Sequence, residues 1–214
     1  MWKAKGAARR RGKGKVVRGE LVGPFSDALG EFIEGDASAA GRRMEGVLRK
    51  ARGEGDRDRE IAALMNLVTL SGSRADHRHA RARAEQAIKA LGERGTPRLR
   101  AIVWFQRGVA CLQTRDYRVA VASFEECARL AAHLGDRAMT GHALALEGRA
   151  RQKAGDGAGA ADRYVRAVPL MKKSGPGREM IGWMQELKAQ MGAEQYCEAL
   201  AASGGAAAIL DYKG

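Results

Sequence analysis

The sequence predicts an all-α fold, a helix-turn-helix repeat solenoid, preceded by a basic, disordered N-terminal tail. Asp36, Asp76, Asp116 and Asp156 stand 40 residues apart, and each is followed four residues later by an alanine: Ala40, Ala80, Ala120 and Ala160. A fixed period of this length marks a repeat array. The composition agrees: 45% of the 214 residues are hydrophobic and only 5% aromatic, the alanine-rich profile of packed helices. No alternating strand pattern of useful length interrupts it.

The tail comes first, as residues 1–18. Lys3, Lys5, Arg9, Arg10, Arg11, Lys13, Lys15 and Arg18 give it eight positive charges and no acid, a composition with too little apolar surface to fold alone. Two roles are open. One is a polyanion-binding arm with salt-sensitive attraction to nucleic acid or to acidic protein surfaces. The other is an organelle-targeting segment: the Arg-rich, acid-poor half of that pattern is present, but serine is missing and glycine is frequent. The rest of the chain carries 30 basic against 25 acidic residues, so the tail supplies most of the formal net charge of +13.

The repeat domain spans residues 19–202, with units near 20–55, 57–95, 99–135, 138–173 and 177–202. In the first unit only Asp36, Ala40, Met44, Val47 and Leu48 keep the pattern. The next three share one register: Leu64, Trp104 and Leu144 align, as do Val68, Gly108 and Gly148, then Ala84, Phe124 and Tyr164, then Ala87, Cys127 and Ala167. One helix-length segment precedes each Asp and another follows it, with a looser Gly-containing connector between units. Gly108 and Gly148 fall where a first helix must approach its partner closely, with Ala120 and Ala160 as the matching small face. Trp104, Phe124 and Tyr164 fill the spaces between. Residues 177–202 form a divergent terminal pair, as expected where one face of an array meets water. Pro97, Pro169 and Pro176 sit at helix boundaries, where a missing N–H does least harm. A C-terminal tail, 203–214, follows Gly204 and Gly205. Three readings are open for it: it docks on the array end, it hangs free, or its Ile209, Leu210 and Tyr212 form a short linear motif; tails of this composition are usually fraying ends.

At Trp104, Gly108, Ala120, Phe124 and Ala128 the third unit resembles the tetratricopeptide repeat (TPR), whose signature is an aromatic or leucine, a glycine four residues on, then alanine and an aromatic in the second helix. The 40-residue period looks like the longer-helix variety of that family. The resemblance covers residues 57–170. It implies a right-handed superhelix whose concave groove is lined by the first helix of each pair, and a role in protein-protein interaction. Counting from Gly108 and Gly148, the implied groove residues are Ala62, Met65, Asn66 and Thr69, then Ile102, Phe105, Gln106 and Val109, then His142, Ala145, Leu146 and Arg149. Asn66 and Gln106 are equivalent. A side-chain amide there both donates and accepts, so it can pair with an extended peptide backbone whatever the peptide's side chains. Met65 and Phe105 add an adaptable apolar patch. The carboxylate clamp by which some members hold chaperone tails needs two lysines, two asparagines and an arginine; Met65, Thr69, Gln106, His142 and Leu146 stand in those places. The groove instead suits an extended or helical segment with hydrophobic anchors.

Other signals read as structure. Cys111, Cys127 and Cys197 make an odd number with no CxxC spacing, which argues against a disulfide framework or a zinc site and for a reducing compartment. His77 and His79 are too close in sequence to share a helical face as metal ligands, and Gly155–Gly159 lacks the lysine and Ser/Thr of a phosphate loop. Arg74, Arg78 and Arg81 form a basic stripe beside His77, read as a solubilising face that could extend the tail's footprint. No stretch reaches the roughly 20 apolar residues of a membrane helix. No cofactor, metal or catalytic constellation is expected. The expected function is a non-enzymatic interaction scaffold that holds another protein's segment within a larger assembly, intracellular and cytoplasmic unless the tail targets an organelle. The alternative is an accessory subunit of a nucleoprotein or other polyanionic assembly, anchored by the tail.

Overall fold

The computed structural model describes residues 37–92, 95–171 and 178–204. The basic tail, the first helix expected in unit one and the C-terminal tail beyond 204 lie outside them. The described residues are helical, with no strand: α1 (Ala37–Glu54), α2 (Arg57–Ser73), α3 (His77–Leu91), α4 (Pro97–Gln113), α5 (Tyr117–His133), α6 (Arg137–Lys153), α7 (Gly157–Ala167) with a short 3-10 turn (Val168–Leu170), α8 (Arg178–Met191) and α9 (Ala193–Ala202). The chain divides into two compact units, Met1–Ala63 and Leu64–Gly214.

One corner is used again and again. The backbone N–H groups of Asp56, Asp76, Asp116, Asp136 and Asp156 each reach back five residues, to the carbonyls of Ala51, Ser71, Cys111, Ala131 and Arg151, all at 2.9 Å. The residue before each Asp has positive φ: Gly55 (67°), Ala75 (57°), Arg115 (62°), Gly135 (69°) and Gly155 (89°). This is the Schellman ending, in which a left-handed residue lets the chain satisfy the last helical carbonyls. The same Asp then starts the next helix. Its side chain accepts from the N–H three residues on, namely Arg59, His79, Val119, Met139 and Gly159, at 2.9–3.4 Å, which satisfies an otherwise orphaned donor. The aspartates therefore recur at half the 40-residue period. The loose connector expected between units occurs between α3 and α4, where Thr96 caps α4 and Pro97 opens it; at Gly135–Asp136 the between-unit turn is as tight as those within units.

In the first unit Ala40, Met44, Leu48 and Ala51 of α1 are buried, as are Ile61 and Ala63 of α2. Glu60, only 6% exposed, receives Arg52 and Arg57, each at 2.9 Å. Burial pushes its carboxyl up, but the two guanidinium hydrogen bonds outweigh that and hold it below the ordinary glutamate value.

In the second unit each helix packs on the next: α3 on α4, α4 on α5, α5 on α6, α6 on α7, with α9 against both α7 and α8. Gly108 and Gly148 sit under aromatic rings. A Cβ at Gly108 would lie 2.6 Å from the Phe124 ring, and one at Gly148 would lie 2.8 Å from the Tyr164 ring. The close approach read from the sequence is therefore helix backbone against ring, with the Ala160 carbonyl also 3.2 Å from a Gly148 Cβ. Phe124 and Tyr164 are fully buried, while Trp104 is only half-buried, with Arg107 stacked 5.3 Å from its ring centre. Cys111 and Cys127 are buried, and burial pushes the Cys127 thiol up to about 12.

The two aromatic positions differ by one hydroxyl, and the chain compensates at a second site. Tyr164 donates to Gln152 Oε1 at 2.8 Å, and Gln152 Nε2 donates to Gln190 at 3.1 Å. Forty residues earlier Phe124 needs no acceptor, and Leu112 takes the place of Gln152.

Two outcomes follow from these arrangements. Arg115→Gly relieves a non-glycine residue from the left-handed region, worth roughly 1 kcal/mol, and calorimetry should show Tm rise by about 2–4 °C; an unchanged or lower Tm would mean the side chain compensates its strain. Gln152→Leu strands the buried Tyr164 hydroxyl, at a cost of about 1–3 kcal/mol in denaturant unfolding. Adding Tyr164→Phe should restore most of that loss, and a double variant as weak as the single would show that the hydroxyl pairing is not what matters.

Candidate partner-binding pocket

The face that α4, α6 and α8 present together carries a pocket of about 230 Å³, lined by Phe105, His142, Ala145, Leu146, Met171, Glu179, Met180 and Trp183. Each wall follows from helical spacing. His142, Ala145 and Leu146 lie three and four residues apart on α6, so they share one face. Phe105 reaches the pocket from α4 and also meets the buried Phe124 edge-on, with ring centres 5.8 Å apart and planes at 71°. That contact fixes one side of the wall, because edge-to-face rings hold a defined geometry. Met180 is buried, and Trp183 lies 6.5 Å from the Tyr164 ring, so the α8 wall is anchored on the core of α7.

Polar contacts lock α8 in place. Glu186 accepts from Lys153 at 2.8 Å and from Arg149 at 2.7 Å, and the Arg149 guanidinium also stacks 5.4 Å from the Trp183 ring centre. Hydrogen bonds from Lys153 and Arg149 hold the Glu186 carboxyl below its ordinary value. Arg149, expected to face a partner, is thus committed to fastening α8 to α6.

The structure brings Phe105 and His142 together at the pocket, with Ala145 and Leu146 from the same expected groove. The others lie elsewhere. Asn66 and Thr69 are exposed on α2, with the Thr69 hydroxyl donating to the Met65 carbonyl at 3.2 Å. Met65, Ile102, Gln106 and Val109 are half-buried, and Val109 packs toward the Cys111–Phe124 core. None of these six lines the cavity. The tail residues Lys3 to Arg18 lie outside the described residues. Sequence reasoning missed Met171, Glu179, Met180 and Trp183. The signal was an apolar run in the divergent last pair, where Trp183 falls in register with the small residues Val103 and Ala143.

Among the described residues no group of His, Cys, Asp and Glu could hold a metal ion, and no helix is long and apolar enough to cross a membrane. No protein-family model matches the chain, and no curated protein matches it.

Glu186→Gln should loosen α8. Because Glu186 is about one-third exposed, solvent screening limits the cost to about 1 kcal/mol or less near neutral pH. A carboxyl held below its ordinary value stabilises the fold above that value and loses the contribution as pH falls through the depressed one. Urea titrations of the two proteins should therefore differ at pH 7 and converge in acid; a constant gap down to pH 2 would show that charge is not the cause.

Proposed function

We propose that this protein is a non-enzymatic interaction adaptor of tetratricopeptide type, whose first helices form a groove for a segment of another protein and whose pocket seats one large apolar side chain of that segment. The pocket's size and lining carry this reading. At about 230 Å³ it falls below the roughly 300–1,000 Å³ of pockets that enclose small-molecule ligands. Phe105, Leu146, Met171, Met180 and Trp183 offer aromatic and thioether surface that adapts to aliphatic or aromatic guests. A buried anchor in a preformed pocket is the usual centre of binding energy in a protein interface.

The family assignment and the right-handed winding are parts of the same proposal, supported by the 40-residue register and the stacked helical pairs. His142 and Glu179 at the pocket supply polar groups that would orient the segment, and Asn66 and Gln106 would hold its backbone further along. The surrounding assembly, in an intracellular and reducing setting, is where such an adaptor would work.

The test is capture from native lysate by the full chain and by two variants, read by quantitative mass spectrometry. His142→Trp fills the pocket from its exposed rim, and Asn66→Ala with Gln106→Ala removes the amides. Partners of the groove should fall about tenfold or more with His142→Trp and less steeply with the amide pair. A partner set unchanged in both variants would refute the groove.

A further inference from the structure

We infer that a patch of arginines on α3 and on the α4–α5 corner is a contact site for the phosphodiester backbone of a nucleic acid. It is separate from the pocket and independent of the adaptor reading. Arg81 reaches Asp116 at 2.8 Å, which ties the α4–α5 corner against the first turns of α3. Arg78 lies one turn before Arg81 on α3, and Arg115 and Arg118 lie within two residues of Asp116, so all three stand close in sequence to the two ends of that ion pair. Arg78, Arg115 and Arg118 are exposed, and none of the ion pairs among the described residues engages them. Arg78 and Arg118 occupy the same place in consecutive units, 40 residues apart. The repeat therefore puts like charges, outside any of those ion pairs, at the same place on α3 and α5, a pattern that favours an anion.

The chemistry favours phosphate. All three are arginines rather than lysines, and the planar guanidinium fork matches phosphate oxygens two at a time. Arg115 holds its side chain at φ 62°, where three other corners use glycine. The chain's net charge of +13, most of it in the acid-free first 18 residues, draws in a uniformly charged polyanion over a longer range than it would a sparsely acidic peptide.

The experiment uses full-length protein, its triple variant Arg78→Gln, Arg115→Gly and Arg118→Gln, and a control triple Lys89→Gln, Arg98→Gln and Arg129→Gln at the opposite ends of the same three helices. Each is titrated against fluorescein-labelled 20-mers of single-stranded DNA, single-stranded RNA and duplex DNA, and against polyglutamate, over a range of salt. The expected result is that the patch variant loses about tenfold or more in nucleic-acid affinity. The slope of log affinity against log salt should fall by about 2 to 3 units, as for three lost phosphate contacts, while the control triple changes far less. Equal losses in both triples would reduce the effect to net charge and overturn the site. Polyglutamate bound as tightly, with the same loss in the patch variant, would assign it to acidic protein, and no nucleic-acid binding by the full chain at low salt would also overturn it.

Discussion

The fold rests on a single residue doing two jobs at five of its corners, those of Asp56, Asp76, Asp116, Asp136 and Asp156. A helix must end with its last carbonyls satisfied and the next must begin with its first N–H groups satisfied, and ordinarily separate residues serve the two needs. Here one aspartate closes the old helix with its backbone N–H and opens the new one with its carboxylate. The corner spends only two or three residues between helices, so the chain turns back at once into the next helix. The cost is a left-handed residue before each Asp, met by glycine at three corners and by Ala75 and Arg115 at two.

Side-chain pairing then gives each repeat its own identity on this common frame. Arg107 reaches Glu85 of the preceding unit at 3.1 Å and Ser123 of its own second helix at 3.2 Å. One period later the charge has changed helix. Glu147, almost wholly buried, accepts from Arg163 at 2.7 Å and Arg151 at 2.9 Å, and both arginines also lie 3.9 Å from Glu125. Glu85 and Glu125 are equivalent, as are Arg107 and Glu147, and Ser123 and Arg163. A buried carboxylate held by two guanidinium groups tolerates its desolvation, whereas the same carboxylate with one partner removed would not. Such swaps, with the Leu112–Phe124 and Gln152–Tyr164 pairs, oppose slippage of one unit onto another's partner.

The helical pairs were legible because the 40-residue marks are those whose identity is dictated by backbone geometry: an Asp where a cap is needed, a Gly where a ring lies overhead. The half-period was harder to see, since Thr96 replaces aspartate at one corner and Ala75 and Arg115 replace glycine at two. Groove positions were read by counting along first helices, and four of them, Phe105, His142, Ala145 and Leu146, are among the residues that line the pocket. Counting could not show that Arg149 is drawn away by Glu186 and Trp183 on α8, because that pairing crosses 37 residues. Trp183 stands in the register of Val103 and Ala143 but puts a large ring where they have small side chains. The charge-swapped network was invisible for a related reason: each member alone reads as ordinary surface charge, and only packing shows which ones are buried.

The corners also set the unit of growth for this chain. α2, α4, α5 and α6 each run 17 residues before the three-residue corner that ends them. One residue added inside such a helix would turn everything beyond it by about 100°, carrying buried alanines to solvent and arginines into the core. Length can change without that rotation only in whole helix-and-corner steps of 20 residues, or at the longer connector between α3 and α4. A tag, loop or second domain inserted at that connector should leave the stack in register, while the same insertion at Arg115–Asp116 would cost one helix its ending and the next its beginning.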